Sequence, residues 1–549
     1  MKARVVRFFV LSLMLTAWVC RGQETHRHDM SAGFGQVNFP ISCSAAAQKQ
    51  FNQALAILHS FEYPEAEKAF VAIGSGEPTC AMAFWGVAMS NYHPLWAPPT
   101  SDQLARGASA IERARSLDAK TQRERDYINA LGNFYRDADK SDHRTRARAY
   151  AQSINQIYIR YPQDNEAAIF YALALNERAL VVTEAQYVEN KKLAGEILNK
   201  VLPKEPNHPG IAHYLIHSYD VPELAYLALP AARSYAKIAP ASPHAQHMPS
   251  HIFTRLGLWQ ESIQSNLASA ATAQAIVAKS HPGWAAQDQL HALDYLVYAY
   301  LQGAQDKKAK SILDQANALS RVDQEVFQAA YAWSAMPARY ALERHQWREA
   351  VALTPHPDAF PWKQFPFAEA NLHFARAVGA ARSNDPSSAR LEIDELSRIQ
   401  QSLSEIKIGY DWATQVEIQR LAASAWLNRL EGKTDEALTL MRRAADREDA
   451  TEKHPVTPGA ILPAREMLGD LLLDANQPAA ALLEYEVELK QAPNRFNSLY
   501  GAAKAAELSG DISKAKDYYD KLVKLCAQSD SVRPELQNAR KYLASRRLN

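Results

Sequence analysis

Leu499–Tyr519 reads LYGAAKAAELSGDISKAKDYY. Leu499, Ala502, Ala503 and Ala506 recur at the three- and four-residue spacing of one helix face. Gly510-Asp511 interrupts the run as a turn, and Ala515 and Tyr519 start the spacing again. The stretch predicts two short amphipathic helices joined by a tight turn. A single pair of this size cannot bury its apolar face alone, so it needs further copies beside it.

Copies run outward from it. Ala481, Tyr485 and Pro493 place a small residue, an aromatic four later and a proline eight beyond that, with Leu468, Gly469 and Leu472 ahead of them. Ala66, Phe70 and Pro78 keep the same spacing near the other end, preceded by Phe51, Ala54, Leu55 and Leu58. Leu421, Ser424, Ala425, Gly432, Ala437 and Met441 make a further copy. These residues resemble the tetratricopeptide repeat (TPR) superfamily over residues 45–545. Phe51–Phe70 and Cys80–Trp96 are also similar to a group of exported bacterial TPR proteins. The resemblance implies an all-α, right-handed solenoid of antiparallel helix pairs with a concave groove lined by the first helix of each pair. Composition agrees with helix. Glycine is sparse (20 of 549 residues), and alternating strand patterns are scarce.

Lys+Arg (61) and Asp+Glu (60) nearly cancel, leaving +1, so no basic excess points to nucleic acid. Lys2, Arg4 and Arg7 precede the apolar run Phe8–Val19, the pattern of a signal peptide ending at Gly22. Trp18-Val19 ahead of Cys20 lacks the small residues of a lipid-anchor signal, which favours plain export to a periplasmic or extracellular space over anchoring through Cys20. No later segment is long and apolar enough for a membrane span. In an oxidising compartment Cys43 and Cys80 are the candidate disulfide, two buried thiols being the alternative, and Cys526 reads as a structural thiol. Proline clusters break the periodicity. The organisation expected is a signal peptide (1–22), an N-terminal segment (23–44), a first array (45–351), a Pro/aromatic loop (352–367) and a second array (368–549).

Eight of the 17 histidines lie between His208 and His291, roughly threefold more than even spreading would place there. His213 and His217 are four apart, as are His247 and His251, so each pair shares a helix face. The pairs are offset by 34 residues, the length of one TPR unit. Equivalent positions of adjacent repeats lie side by side. His244 extends the stripe, and the next first helix adds His291, Asp294 and Tyr298. Pro249 falls inside the second pair and predicts a kink there.

Clustered imidazoles with a carboxylate suit a divalent transition metal (Zn, Cu, Fe or Ni). The candidate ligands are His213, His217, His244, His247, His251, His291 and Asp294, enough for two nearby ions. Asp294 also fits a second role, accepting from an imidazole N–H. Tyr214, Tyr298, Met82, Trp85 and Met89 are candidate ligand-groove side chains, although Met and Trp at helical spacing ordinarily pack. Phosphate-loop, nucleophile-elbow, haem-attachment and zincin motifs are all missing. Tyr214, Tyr219, Glu223, Asp294 and Tyr298 are the nearest acid–base groups. The leading expectation is an exported solenoid whose groove holds metal and a peptide, protein or small-molecule ligand. The alternatives are a metalloenzyme (hydrolase or oxidoreductase) and a metal-free interaction scaffold.

Overall fold

The computed structural model describes residues 33–95, 98–179, 184–406 and 410–547. The signal peptide, Cys20 and residues 23–32 of the N-terminal segment lie outside the described residues. Within them the chain forms 26 α-helices and two short 3-10 turns. No strand is present there, and one isolated bridge joins Ala285 and Val322. The protein is an all-helical, TPR-like solenoid.

Local chemistry sets the helix ends. Thr100 and Thr121 open helices with reciprocal capping boxes to Gln103 and Glu124. Proline occupies the first turn at Pro209, Pro243, Pro249 and Pro366, where its missing N–H costs nothing. Gly510 ends the Phe496–Ser509 helix at φ +84°, the left-handed conformation glycine tolerates.

Most helices pack on their chain neighbours, and first helices also touch the first helix of the next pair. Gln287–Gln302, Phe327–Leu342, Pro366–Arg382, Trp412–Leu430, Ala464–Asp474 and Phe496–Ser509 form one such row. Tyr485 shows why the small–aromatic spacing matters. Its ring is wedged between two first helices, so a Cβ on Gly469 or Gly501 would sit 2.6 or 2.2 Å from the ring. Its hydroxyl donates to Asp470 Oδ1 (2.5 Å).

The N-terminal strap is fastened by a Cys43–Cys80 disulfide, and Cys526 is a buried free thiol. Phe360 and Trp362, from the Pro/aromatic segment, pack into a core that runs from Trp259 to Ala368. At the other end the array returns to its own middle. Trp259 donates to the Asn494 carbonyl (2.8 Å), the Phe496 amide donates to Gln302 Oε1 (2.9 Å), and Arg533 pairs with Asp306. The buried Arg495 guanidinium bonds Glu343, Glu466 and Tyr298 together. The curl borders a half-open cavity of about 700 Å³. No described helix is long and apolar enough to cross a membrane.

Candidate metal centre

Four helices carry the histidines. Pro209–Tyr219 presents His213 and His217, Pro243–His247 presents His244 and His247, Pro249–Arg255 presents His251, and Gln287–Gln302 presents His291. The expected break at Pro249 is real but mild. Met248, between the two short helices, keeps helical angles (φ −52°, ψ −36°). His247 and His251 therefore stay one turn apart on one face.

The six rings divide into two triads. His213, His217 and His244 form the first, His247, His251 and His291 the second, and within each the ligand atoms lie within 4.8 Å of one another. His213 Nε2 is 3.0 Å from His244 Nε2 and 3.1 Å from His217 Nε2. His247 Nε2 is 3.0 Å from His251 Nε2, and the His291 ring centroid is 4.2 Å from that of His247. Each triad is thus an i,i+4 pair completed by a histidine from a later helix. Phe61 covers the first, its ring centroid 4.2 Å from His213, and Tyr295 flanks the second at 4.7 Å from His247.

Hydrogen bonds fix which nitrogens are bare. His213 Nδ1 donates to the His59 carbonyl (2.7 Å). His247 Nδ1 meets Asn266 Oδ1 (2.7 Å), and that amide is oriented by its own Nδ2 donating to the Ser262 carbonyl (2.8 Å), so His247 must donate. His251 Nδ1 donates to the Asp220 carboxylate (3.1 Å). In the neutral rings, His247 and His251 therefore point two lone pairs at each other across 3.0 Å. In the first triad, the single lone pair of His213 Nε2 faces two nitrogens and can accept from only one.

A cation between the nitrogens removes the conflict. A proton is the poor choice, because burial above all, and then neighbouring imidazoles, pushes His213, His217, His244, His247 and His291 well below the ordinary value. Burial lowers His251 too, against the pull of Asp220. Burial works against ionising Asp220, yet Lys453, Arg255 and His251 hold its carboxyl well below the usual range. A tetrahedral ion with bonds of ~2.0–2.1 Å to imidazole sets its nitrogens ~3.3 Å apart, close to the observed separations. The donor set fits a borderline divalent ion.

A third group escaped the sequence reading because no spacing links its members. Glu166 accepts from His59 Nε2 (3.1 Å) and His208 Nε2 (2.9 Å), while Tyr214 hydroxyl lies 2.9 Å from His59 Nδ1. Glu166 thus takes one nitrogen of each ring, His208 Nδ1 has no partner among the described residues, and the His59 carbonyl orients His213. The group braces the first triad.

Several expected site residues lie elsewhere. Asp294 is ion-paired to the buried Arg339 instead of standing beside the imidazoles. Asp220, three residues after His217, supplies the carboxylate. Met82, Trp85 and Met89 are at most 1% exposed and pack in the core, where Trp85 meets Phe39 and Tyr127, so they line no groove. Tyr214 is buried on His59. Tyr298 does border the cavity, but its hydroxyl is held by Arg495 (2.8 Å). Tyr219 is bonded to Asn199 (3.1 Å), and Glu223 is exposed at the cavity edge. His93 is buried against Tyr63.

Fold and site together define a helical solenoid carrying two histidine triads. Among solved structures the chain is similar to a human IFIT1 dimer with PPP-AAAA, at 14% identity over 85% of this chain and 95% of that one, with a TM-score of 0.37. It is also similar to the APC/C hetero-tetramer Cut9–Hcn1, at 10% identity over 92% and 96% of the two chains, with a TM-score of 0.28. No family model matches the chain, and no curated protein matches it.

Proposed function

We propose that this chain is a metal-binding solenoid in which His213, His217 and His244 hold one divalent transition ion and His247, His251 and His291 hold a second. The observation that carries the reading is the pair of bare Nε2 atoms of His247 and His251, 3.0 Å apart, with both Nδ1 protons committed elsewhere. Asp220 and Asn266 orient these ligands in the way outer partners of metal-bound histidine do. Three protein ligands per ion leave a coordination position open, the arrangement of catalytic rather than structural zinc. That favours a metalloenzyme, hydrolytic or oxidative, over a metal-free scaffold. The cavity beside the centre is where a small-molecule or peptide ligand would lie. The Cys43–Cys80 disulfide supports export into an oxidising compartment.

The test is the metal content of tagless protein, alone and as His213→Ala and His247→Ala. Two equivalents per chain are expected, falling by one in each variant. Substoichiometric metal, unchanged in either variant, would overturn the proposal.

A further inference from the structure

Between the triads and the cavity, three cations from separate elements gather near Asp220, and two of them stand within ion-pair distance of its carboxylate. Arg255 Nε donates to Asp220 Oδ1 (2.9 Å), and its Nη2 reaches Glu452. Lys453, on the segment after the Thr434–Asp449 helix, stands 4.0 Å from Asp220 Oδ2 and donates weakly to the Pro455 carbonyl (3.5 Å). Lys191, only 6% exposed, donates to the His217 carbonyl (2.5 Å) and meets no carboxylate within ion-pair distance among the described residues. Lys191 and Lys453 each act electrostatically on the other and on Arg255, Asp220 and Glu452. Three positive charges thus share two negative ones, and Arg255 already uses both carboxylates.

An ammonium has three donors, and a buried one is costly unless an anion answers it. Lys191 uses one donor, on a neutral carbonyl. The cavity supplies the approach. Arg255, Glu452 and Lys453 form its wall toward the triads, and Tyr331, Tyr410 and Trp412 give it an aromatic side.

We propose that Lys191, Arg255 and Lys453 bound an oxyanion subsite beside the histidine triads, which takes an organic carboxylate or phosphate ester whose apolar body lies in the cavity. The subsite stands on the cations and the cavity, and does not require the triads to hold metal. Ions there would add attraction for the same anion.

The test is calorimetric titration of phenyl phosphate, benzoate and benzyl alcohol into the full chain, once chelator-dialysed and once zinc-reloaded, with zinc content measured on the same samples. At least one oxyanion should bind at one site per chain, and the neutral alcohol should not. Which anion binds more tightly assigns the headgroup. Lys191→Met and Lys453→Met should each weaken it by about tenfold or more, and the arginine replacements by less, with zinc content unchanged. The proposal is overturned if neither anion binds, if benzyl alcohol binds as tightly, or if folded methionine variants bind like the parent. Because zinc is counted separately, loss of the metal reading and loss of the subsite are distinguishable.

Discussion

Asp220 joins three roles at one side chain: it orients His251, pairs with Arg255 and faces Lys453. As the partner of a ligand's Nδ1–H, it fixes the tautomer that leaves Nε2 bare. Asp220→Asn should therefore weaken the second metal site by ~10–100-fold while sparing the first, read by competition with a chelator. Equal loss at both sites would mean a general structural effect instead. Glu62 offers a pH test at a side chain that is not itself a ligand. It accepts from Ser242 Oγ (2.6 Å), and burial, then the Asp288 charge, pushes its carboxyl up from 4.5 to about 8. A folded value above the unfolded one means stability is fully present below pH 4.5 and lost as pH rises toward about 8. Glu62→Gln removes that dependence, so its melting temperature should exceed the parent's near about pH 9 and the gap should close near about pH 5. The two His pairs were legible in the sequence because a helix turn and a repeat length are local quantities. Asp294 was misplaced because its spacing from His291 is equally local, whereas Arg339, the cation that takes it, arrives from the helix Phe327–Leu342.

At the scale of elements, the repeat works by fitting an aromatic of one second helix into the glycine gaps of two first helices. Gly501→Ala would set a methyl 2.2 Å from the Tyr485 ring, inside contact distance. An overpacking cost of about 1–3 kcal/mol is expected in equilibrium denaturation, and a neutral result would show that Tyr485 can withdraw. This spacing was readable because it recurs in Ala66–Phe70 and Ala481–Tyr485, and recurrence exposes it despite degenerate residues. The third member of each triad was harder. His244 and His247 lie three apart on one short helix yet serve different triads, because that helix sits between its neighbours and offers a ring to each. Met82, Trp85 and Met89 share a helical stripe that sequence alone could assign to groove or core. The packed rings of Phe39 and Tyr127 around Trp85 decide for core.

For the whole molecule, the central fact is closure. Arg495 is buried with Glu343 and Glu466, so it locks the returning end of the array to its middle. Arg495→Met leaves two buried carboxylates without their shared cation, at an expected cost of about 3–5 kcal/mol in chemical denaturation, and a loss under about 1 kcal/mol would show that the closure is held elsewhere. Nothing in the repeat pattern announces the Arg495–Glu343 contact, because those two residues lie 152 positions apart. The same long-range packing brings Lys453 beside Asp220, so the histidines were visible as a cluster while the charges around them were not. The most direct measurement is anomalous X-ray scattering from crystals of the tagless protein at the absorption edge of its bound metal. Two peaks are expected, one bounded by Nε2 of His213 and a second by Nε2 of His247 and His251. Crystals with no anomalous density at either triad, grown from protein supplied with zinc, copper, iron and nickel in turn, would contradict the metal centre.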